Sequence, residues 1–253
     1  MPIVDHATKL ITCKLVYYGP GRSGKTTNLT YLHGALPSTQ VGELTSLATR
    51  RDRTLFFDYL PVDLGTVGAY RVRFQLYTVP GQPYYRAIRQ LVLQGADGIA
   101  FVADSQRHRW DDNQESLQDM HANLAEHGVD VRDLPVVMQY NKQDLPSSLA
   151  ATTAELSAAL NFRAVPEFAS DALHGMGVFD TLRSLGMRVL RRLGADDGSP
   201  SPSGEGPRRT PRASPPANAP SHAPSHVPAH APANAPAHAS NNTAELMTVG
   251  AGV

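Results

Sequence analysis

The run Gly19 to Thr26 reads Gly-Pro-Gly-Arg-Ser-Gly-Lys-Thr, an unbroken G-x-x-x-x-G-K-[ST] phosphate-binding loop. Each fixed position answers a physical need. Gly19, Gly21 and Gly24 let the backbone curl until several N–H groups converge on one anion. Arg22, Ser23 and Thr27 belong to the same cradle. Lys25 adds a mobile positive charge for the outer phosphates, and Thr26 offers a hydroxyl to a phosphate-bound magnesium ion. The helix expected after the loop points the positive end of its dipole at the same place.

Asn141-Lys142-Gln143-Asp144 follows an apolar run and reads N-K-x-D. Asp144 can accept hydrogen bonds from the N1–H and the 2-amino group of guanine, a donor edge that adenine lacks. The Lys142 stem can lie along the base, and Asn141 can tie this loop to the phosphate loop. An isolated N-K-x-D would read as a capping turn; in company with the phosphate loop it reads as base recognition. Glu167-Phe168-Ala169-Ser170-Asp171 is a loosened E-x-S-A-K. It is expected to follow the last strand and to close the base pocket through main-chain groups of Ala169 and Ser170.

Thr78-Val79-Pro80-Gly81-Gln82 resembles D-x-x-G-Q. Gly81 would give its N–H to a terminal phosphate and Gln82 would orient an attacking water. Thr78 departs from the pattern, standing where an aspartate normally holds magnesium through a water. A hydroxyl does so only as a neutral, weaker acceptor, and magnesium affinity could fall. Further upstream, Thr54 is the candidate second hydroxyl for the metal, so that Thr26 and Thr54 form the expected metal set. Arg53, beside it, could neutralise charge that develops in phosphoryl transfer. Arg50 and Arg51 read as solvated, and a basic loop or partner patch is the plainer alternative for all three arginines.

These loops need elements to hold them. Apolar, β-branched runs predict strands near 10–18, 55–62, 70–79, 98–103, 135–140 and 164–168. Amphipathic runs predict helices near 25–36, 84–94, 112–127, 152–160 and 176–193. The alternation argues for βαβ units in an α/β domain: a six-stranded, mostly parallel sheet flanked by helices. The second and third strands are expected as a hairpin turning at Asp63-Leu64-Gly65. This domain is expected to span 1–194.

From 195 to 253 the composition changes. Eleven of the chain's twenty prolines lie from Pro200 onward, and a proline-led tetrad repeats six times between Pro216 and Ala239. Proline at every fourth position forbids helix and leaves no apolar face to bury, so a disordered, Pro/Ala/His-rich tail is expected. In an extended chain His222, His226 and His230 would sit roughly 12 Å apart and His238 roughly 25 Å further on, too far for one ion without looping.

The chain has 253 residues and a formal net charge of zero, which excludes a strong non-specific pull toward nucleic acid. The single cysteine, Cys13, falls in the first expected strand and reads as a small core residue. No apolar run is long enough to span a membrane, and no signal for secretion, myristoylation or prenylation is legible. A cytoplasmic protein with no transmembrane segment or lipid anchor is the expectation.

The order phosphate loop, switch threonine, x-x-x-G-Q, N-K-x-D and closing loop resembles the Ras-like small GTPases. GPGRSGKTTNL, RRDRTLFFDYLP, TVPGQ, NKQD and FASDALHGMGVFDTL are similar to the MglA family of bacterial gliding-motility GTPases, in which TVPGQ itself begins with threonine. The resemblance implies a Ras-like fold and a polarity switch that binds GTP and GDP with Mg2+. It implies slow hydrolysis of GTP to GDP, and recruitment of the GTP form to a cell pole with its effectors. It also implies a roadblock-fold activating dimer of the MglB type that places Arg53 and Gln82, with Lys25 as the third catalytic group. The tail is not covered. Two rival readings remain: a nucleotide-binding scaffold with little hydrolysis, which Thr78 favours, and a histidine-tailed metallochaperone.

Overall fold

The computed structural model describes residues 2–48 and 55–196. Arg50, Arg51, Arg53, Thr54 and the proline-rich tail from residue 197 onward lie outside the described residues; 195 and 196, expected in the tail, belong to the last helix. The chain forms β1 (Ile3–Asp5), β2 (Leu10–Tyr18), α1 (Lys25–Ala35), β3 (Thr45–Ala48), β4 (Leu55–Val67), β5 (Tyr70–Thr78) and α2 (Arg86–Leu93). It continues with β6 (Gly98–Asp104), α3 (Trp110–Glu126), β7 (Val136–Asn141), α4 (Thr153–Leu160), β8 (Glu167–Ser170) and α5 (Val178–Asp196).

One sheet runs in the order β3-β4-β5-β2-β6-β7-β8. β2 pairs in parallel with β5 and β6, and β6, β7 and β8 continue in parallel. Among the described residues the sheet has eight strands where the sequence pattern predicts six. The two additions, β1 and β3, are three and four residues long and pair antiparallel with β2 and β4. Runs that short carry too few side chains for a two-residue period to register.

Two boundaries differ from the sequence reading. The β4–β5 hairpin turns at Gly68-Ala69, closed by the pair Val67↔Tyr70, and not at Asp63-Leu64-Gly65. The register shifts between Asp63 and Thr66, with Gly65 at φ 90°, so the earlier turn signal is a bulge inside a longer strand. The last strand begins at Glu167, past the expected 164. Ala164 has φ 47°, and its N–H donates to the Asn161 carbonyl, which makes that stretch a turn. Glu167 to Ser170 is therefore the strand itself and does not follow it.

The central strands are buried on both faces, as a covered parallel sheet requires. On β2, Val16 and Tyr18 pack toward α2, α3 and α4, while Cys13, Leu15 and Tyr17 pack toward α1 and α5. Burial pushes the Cys13 thiol up to about 12, in keeping with an inert core residue. Parallel pairing brings the carboxyl ends of β2, β5, β6, β7 and β8 to one edge, where the loops of an α/β sheet gather around a ligand. Tyr17 lies opposite Thr78, Asp104 opposite Asn141, and Asn141 opposite Ser170.

The fit of α5 onto this sheet is close. A Cβ on Gly186 would stand 2.3 Å from Cε2 of Phe74, a fully buried ring. Gly186→Ala should gain about 1 kcal/mol of helix propensity. Overpacking against a ring with no room to move should cost up to about 3 kcal/mol. We expect a net loss of about 1–2 kcal/mol of stability, read as a lower denaturant midpoint with the m-value unchanged. A more stable variant would contradict this packing.

Candidate functional site

The phosphate loop links β2 to α1. Gly24 holds φ 101°, and a Cβ there would stand 2.1 Å from Nδ2 of Asn141. The first turn of α1 has no side-chain cap and no acidic residue, which leaves its amides for an outside acceptor. The buried Ser23 hydroxyl has no hydrogen-bond partner among the described residues.

Lys25 is buried at the floor of the loop. Its Nζ donates to the Gly19 and Pro20 carbonyls at 2.8 and 2.6 Å. Burial, with the Arg89 and Arg109 charges adding to it, pulls its pKa down to about 7 against the opposing pull of Asp58 and Asp104. Uncapped amides, an unpartnered hydroxyl and a desolvated cation are together a site prepared for a polyphosphate.

The hydroxyl proposed for the metal sits beside a carboxylate that the sequence reading missed. Thr26 Oγ1 donates to Oδ2 of Asp58 at 2.6 Å, and Thr78 Oγ1 donates to the same oxygen at 2.9 Å. Ser46 donates to Oδ1 at 2.7 Å, while the Asp58 amide donates back to the Thr78 hydroxyl at 2.8 Å. Asp58 therefore brings from β4 the carboxylate that position 78 lacks, and Thr78 holds it in place. A hydroxyl and a carboxylate are the hard oxygen donors magnesium takes. Thr54, the other expected metal hydroxyl, lies outside the described residues. One signal was available: Asp58 shares its face of β4 with the buried Leu60 and Val62. A carboxylate on a core-facing row must be paired or ligating.

Gly81 packs directly on the phosphate loop; a Cβ on it would stand 2.2 Å from the Gly21 nitrogen. The Gln82 side chain is exposed and its Oε1 accepts from the Tyr84 hydroxyl. Its main chain is anchored. Arg89 donates to the Pro80 and Gln82 carbonyls and, through Nε, to Asp119 at 2.7 Å. Asp119 also takes the Tyr18 hydroxyl and Nδ2 of Asn123.

At the other end Asn141 joins three segments. Its Nδ2 donates to the Ser23 carbonyl at 2.7 Å, and its Oδ1 accepts from Ser170 Oγ at 3.0 Å and from the Ala172 amide at 2.8 Å. Lys142, at φ 71°, is held through Nζ by Asp104 at 2.6 Å and by Gln106 at 3.0 Å. Asp144 is exposed and unpartnered among the described residues. Ser170 is spent on Asn141, and Ala169 is exposed on β8. The loop beyond the strand is Asp171 to His174, built on the Asp171 carboxylate, which accepts from the Leu173 and His174 amides.

Among the described residues no three His, Cys, Asp or Glu side chains cluster as metal ligands, and no helix is long and apolar enough to cross a membrane. The tail histidines fall outside those residues. The model of the ADP-ribosylation factor family matches residues 54–189, from the candidate switch threonine to within the last helix. The chain is also 50% identical, over 193 residues, to the mutual gliding-motility protein MglA of Myxococcus xanthus (strain DK1622). That alignment covers 76% of this chain and 98% of the relative.

Two outcomes follow from the Asp58 and Lys25 geometry. Asp58→Asn keeps the shape and removes the charge. It should weaken the magnesium dependence of nucleotide affinity by about 10–100-fold in a metal titration, and an unchanged titration would dismiss Asp58 from the metal site. Polyphosphate binding should raise the Lys25 pKa from about 7. At pH 8 the free lysine is then mostly neutral and the bound one protonated, so binding should take up about one proton and weaken as pH rises further. Calorimetry in buffers of different ionisation enthalpy reads this directly, and zero proton uptake at pH 8 would contradict it.

Proposed function

The chain belongs to the ADP-ribosylation factor family of small GTPases, at 50% identity to a gliding-motility MglA, and on that premise we propose that it is a magnesium-dependent GTP-hydrolysing switch of cell polarity. The observation that carries the reading is the pairing of two prepared ends in one site. Lys25, uncapped amides and the Thr26–Asp58 pair wait for phosphates and their metal; Asp144, on the loop that Asn141 ties to the phosphate loop, waits for a base with a donor edge.

Each residue has a task in the reaction. Water oriented by the Gln82 side-chain amide attacks the γ-phosphorus of GTP, the bond to the bridging oxygen breaks, and GDP and inorganic phosphate leave, the water's protons passing to the phosphate and to solvent. Lys25, the loop amides and Arg53 stabilise charge that spreads over the transferring oxygens. Catalysis is therefore positioning and electrostatics with little covalent work by the protein. Thr26, with Asp58 supporting it and Thr54 as the second hydroxyl, would hold magnesium, which when bound neutralises charge on the β- and γ-oxygens.

The unaided rate is slow in this reading. The Gln82 oxygen is engaged by Tyr84 and the side chain is exposed, so the group that should hold water is not poised. A roadblock-fold dimer of the MglB type supplies the poise by turning Gln82 and Arg53 over the phosphates. The GTP form acts in the cytosol, gathering effectors at a cell pole. The Asp58 carboxylate beside Thr78 supports hydrolysis over a non-hydrolysing scaffold.

Single-turnover GTP hydrolysis with and without a roadblock-fold partner tests the switch. Gln82→Ala should leave GTP affinity within about twofold and cut stimulated turnover by about a hundredfold or more, the scale of losing one positioned group. Stimulated turnover that survives the substitution would remove Gln82 from the reaction.

A further inference from the structure

The turn that leads from β6 into α3 carries a node that the reading above does not use. Asp104 ends β6 with its side chain 1% exposed. Its backbone is clamped on both sides by Asn113, which accepts from the Asp104 amide and donates to its carbonyl, each at 2.8 Å. One oxygen of its carboxylate accepts Lys142 Nζ at 2.6 Å and faces the Arg109 Nε at 4.0 Å. Arg109 pairs in turn with Asp112, and its Nη2 reaches across the cleft to donate to the Gly21 carbonyl at 2.7 Å. The lysine of the base loop and the middle of the phosphate loop are thus tied to one rigid carboxylate.

We propose that Arg109 is a positioning residue for the terminal phosphate, acting through the Gly21 carbonyl; the proposal rests on the cleft being a GTP site. A peptide group is planar and trans, so its carbonyl and the following N–H point to opposite sides. Drawing the Gly21 oxygen toward α3 turns the Arg22 N–H the other way, into the concave side of the loop. Arg22 sits at φ 65°, a conformation a non-glycine residue holds only when its surroundings impose it. Gly21 is also the residue against which Gly81 abuts. Fixing Gly21 therefore fixes one wall of the seam between the two loops. The terminal phosphate is the group that must enter that seam, and a diphosphate stops short of it. Arg109 should accordingly bear on GTP more than on GDP. It does so without touching either nucleotide, and it leaves the choice of base to Asp144.

The test uses the full chain, stripped of nucleotide, with fluorescent GTP and GDP analogues in magnesium buffer. Wild type, Arg109→Met and Arg109→Gln are compared, with thermal unfolding as a check on the fold. The methionine variant keeps the stem and loses the donor. It should lower the GTP-to-GDP affinity ratio about tenfold, the scale of one lost charge-assisted hydrogen bond, with GDP affinity within about twofold. Glutamine retains an N–H that can reach a carbonyl and should recover part of the ratio. Equal losses for both nucleotides would mean a structural role and overturn the proposal. So would a glutamine variant no better than methionine, or an unchanged affinity ratio with slower hydrolysis, which would place the guanidinium on the reacting phosphate. A wild-type chain that binds neither nucleotide would overturn the GTP site itself, and that result is distinct from all of these.

Discussion

The ammonium of Lys25 is buried against two carbonyl oxygens, with no ion-pair partner among the described residues. Arg89 and Arg109 press on it from the side of the cleft. A cation so placed is costly unless an anion arrives, because the pull of Asp58 and Asp104, neither of them in contact with it, does not make up for its desolvation. Much of the surrounding architecture meets that need. The uncapped start of α1 and the left-handed Gly24 shape an acceptor for negative charge and offer nothing negative of their own. The arrangement is matched to a polyphosphate.

The position of negative charge is equally constrained. A magnesium ion beside Thr26 needs a fixed carboxylate close by, and the strand that usually brings one has a threonine at its end. Asp58 enters from the neighbouring strand at the height of Thr78, and the two exchange hydrogen bonds. Moving the carboxylate one strand outward ties it to β4, and so to the segment that leads back toward Arg53 and Thr54. This is a physical reason for a threonine to persist where a direct ligand support would be expected.

Loops with fixed spacing were legible because their chemistry is local: Gly19 to Thr26, Asn141 to Asp144 and Thr78 to Gln82 all lie at strand ends on one edge of the sheet. The long strands and the five α-helices among the described residues were legible from the apolar pattern. What escaped depends on pairing between distant segments. Asp58 looked like one polar position in an alternating strand until its register with Thr78 was known. Asp104, at the end of β6, and Arg109, in the short 3-10 helix that follows, belong to no motif, and their meaning comes from Lys142 and Gly21, which are distant in sequence. The closing loop was misplaced because Ala164 breaks the expected strand and shifts β8 by three residues, which moves Ser170 from the loop into the sheet. The hairpin turn was misplaced because a glycine bulge and a glycine turn present the same local signal.

A nucleotide held by phosphate-facing amides and by Asp144 must be a guanosine polyphosphate. The direct measurement is competition between GTP, GDP and ATP for the purified full chain in magnesium buffer. Both guanosine nucleotides should bind at least a hundredfold tighter than ATP, about the 3 kcal/mol expected when a base leaves the Asp144 carboxylate unpaired. Equal binding of GTP and ATP, or binding of neither, would contradict the site described.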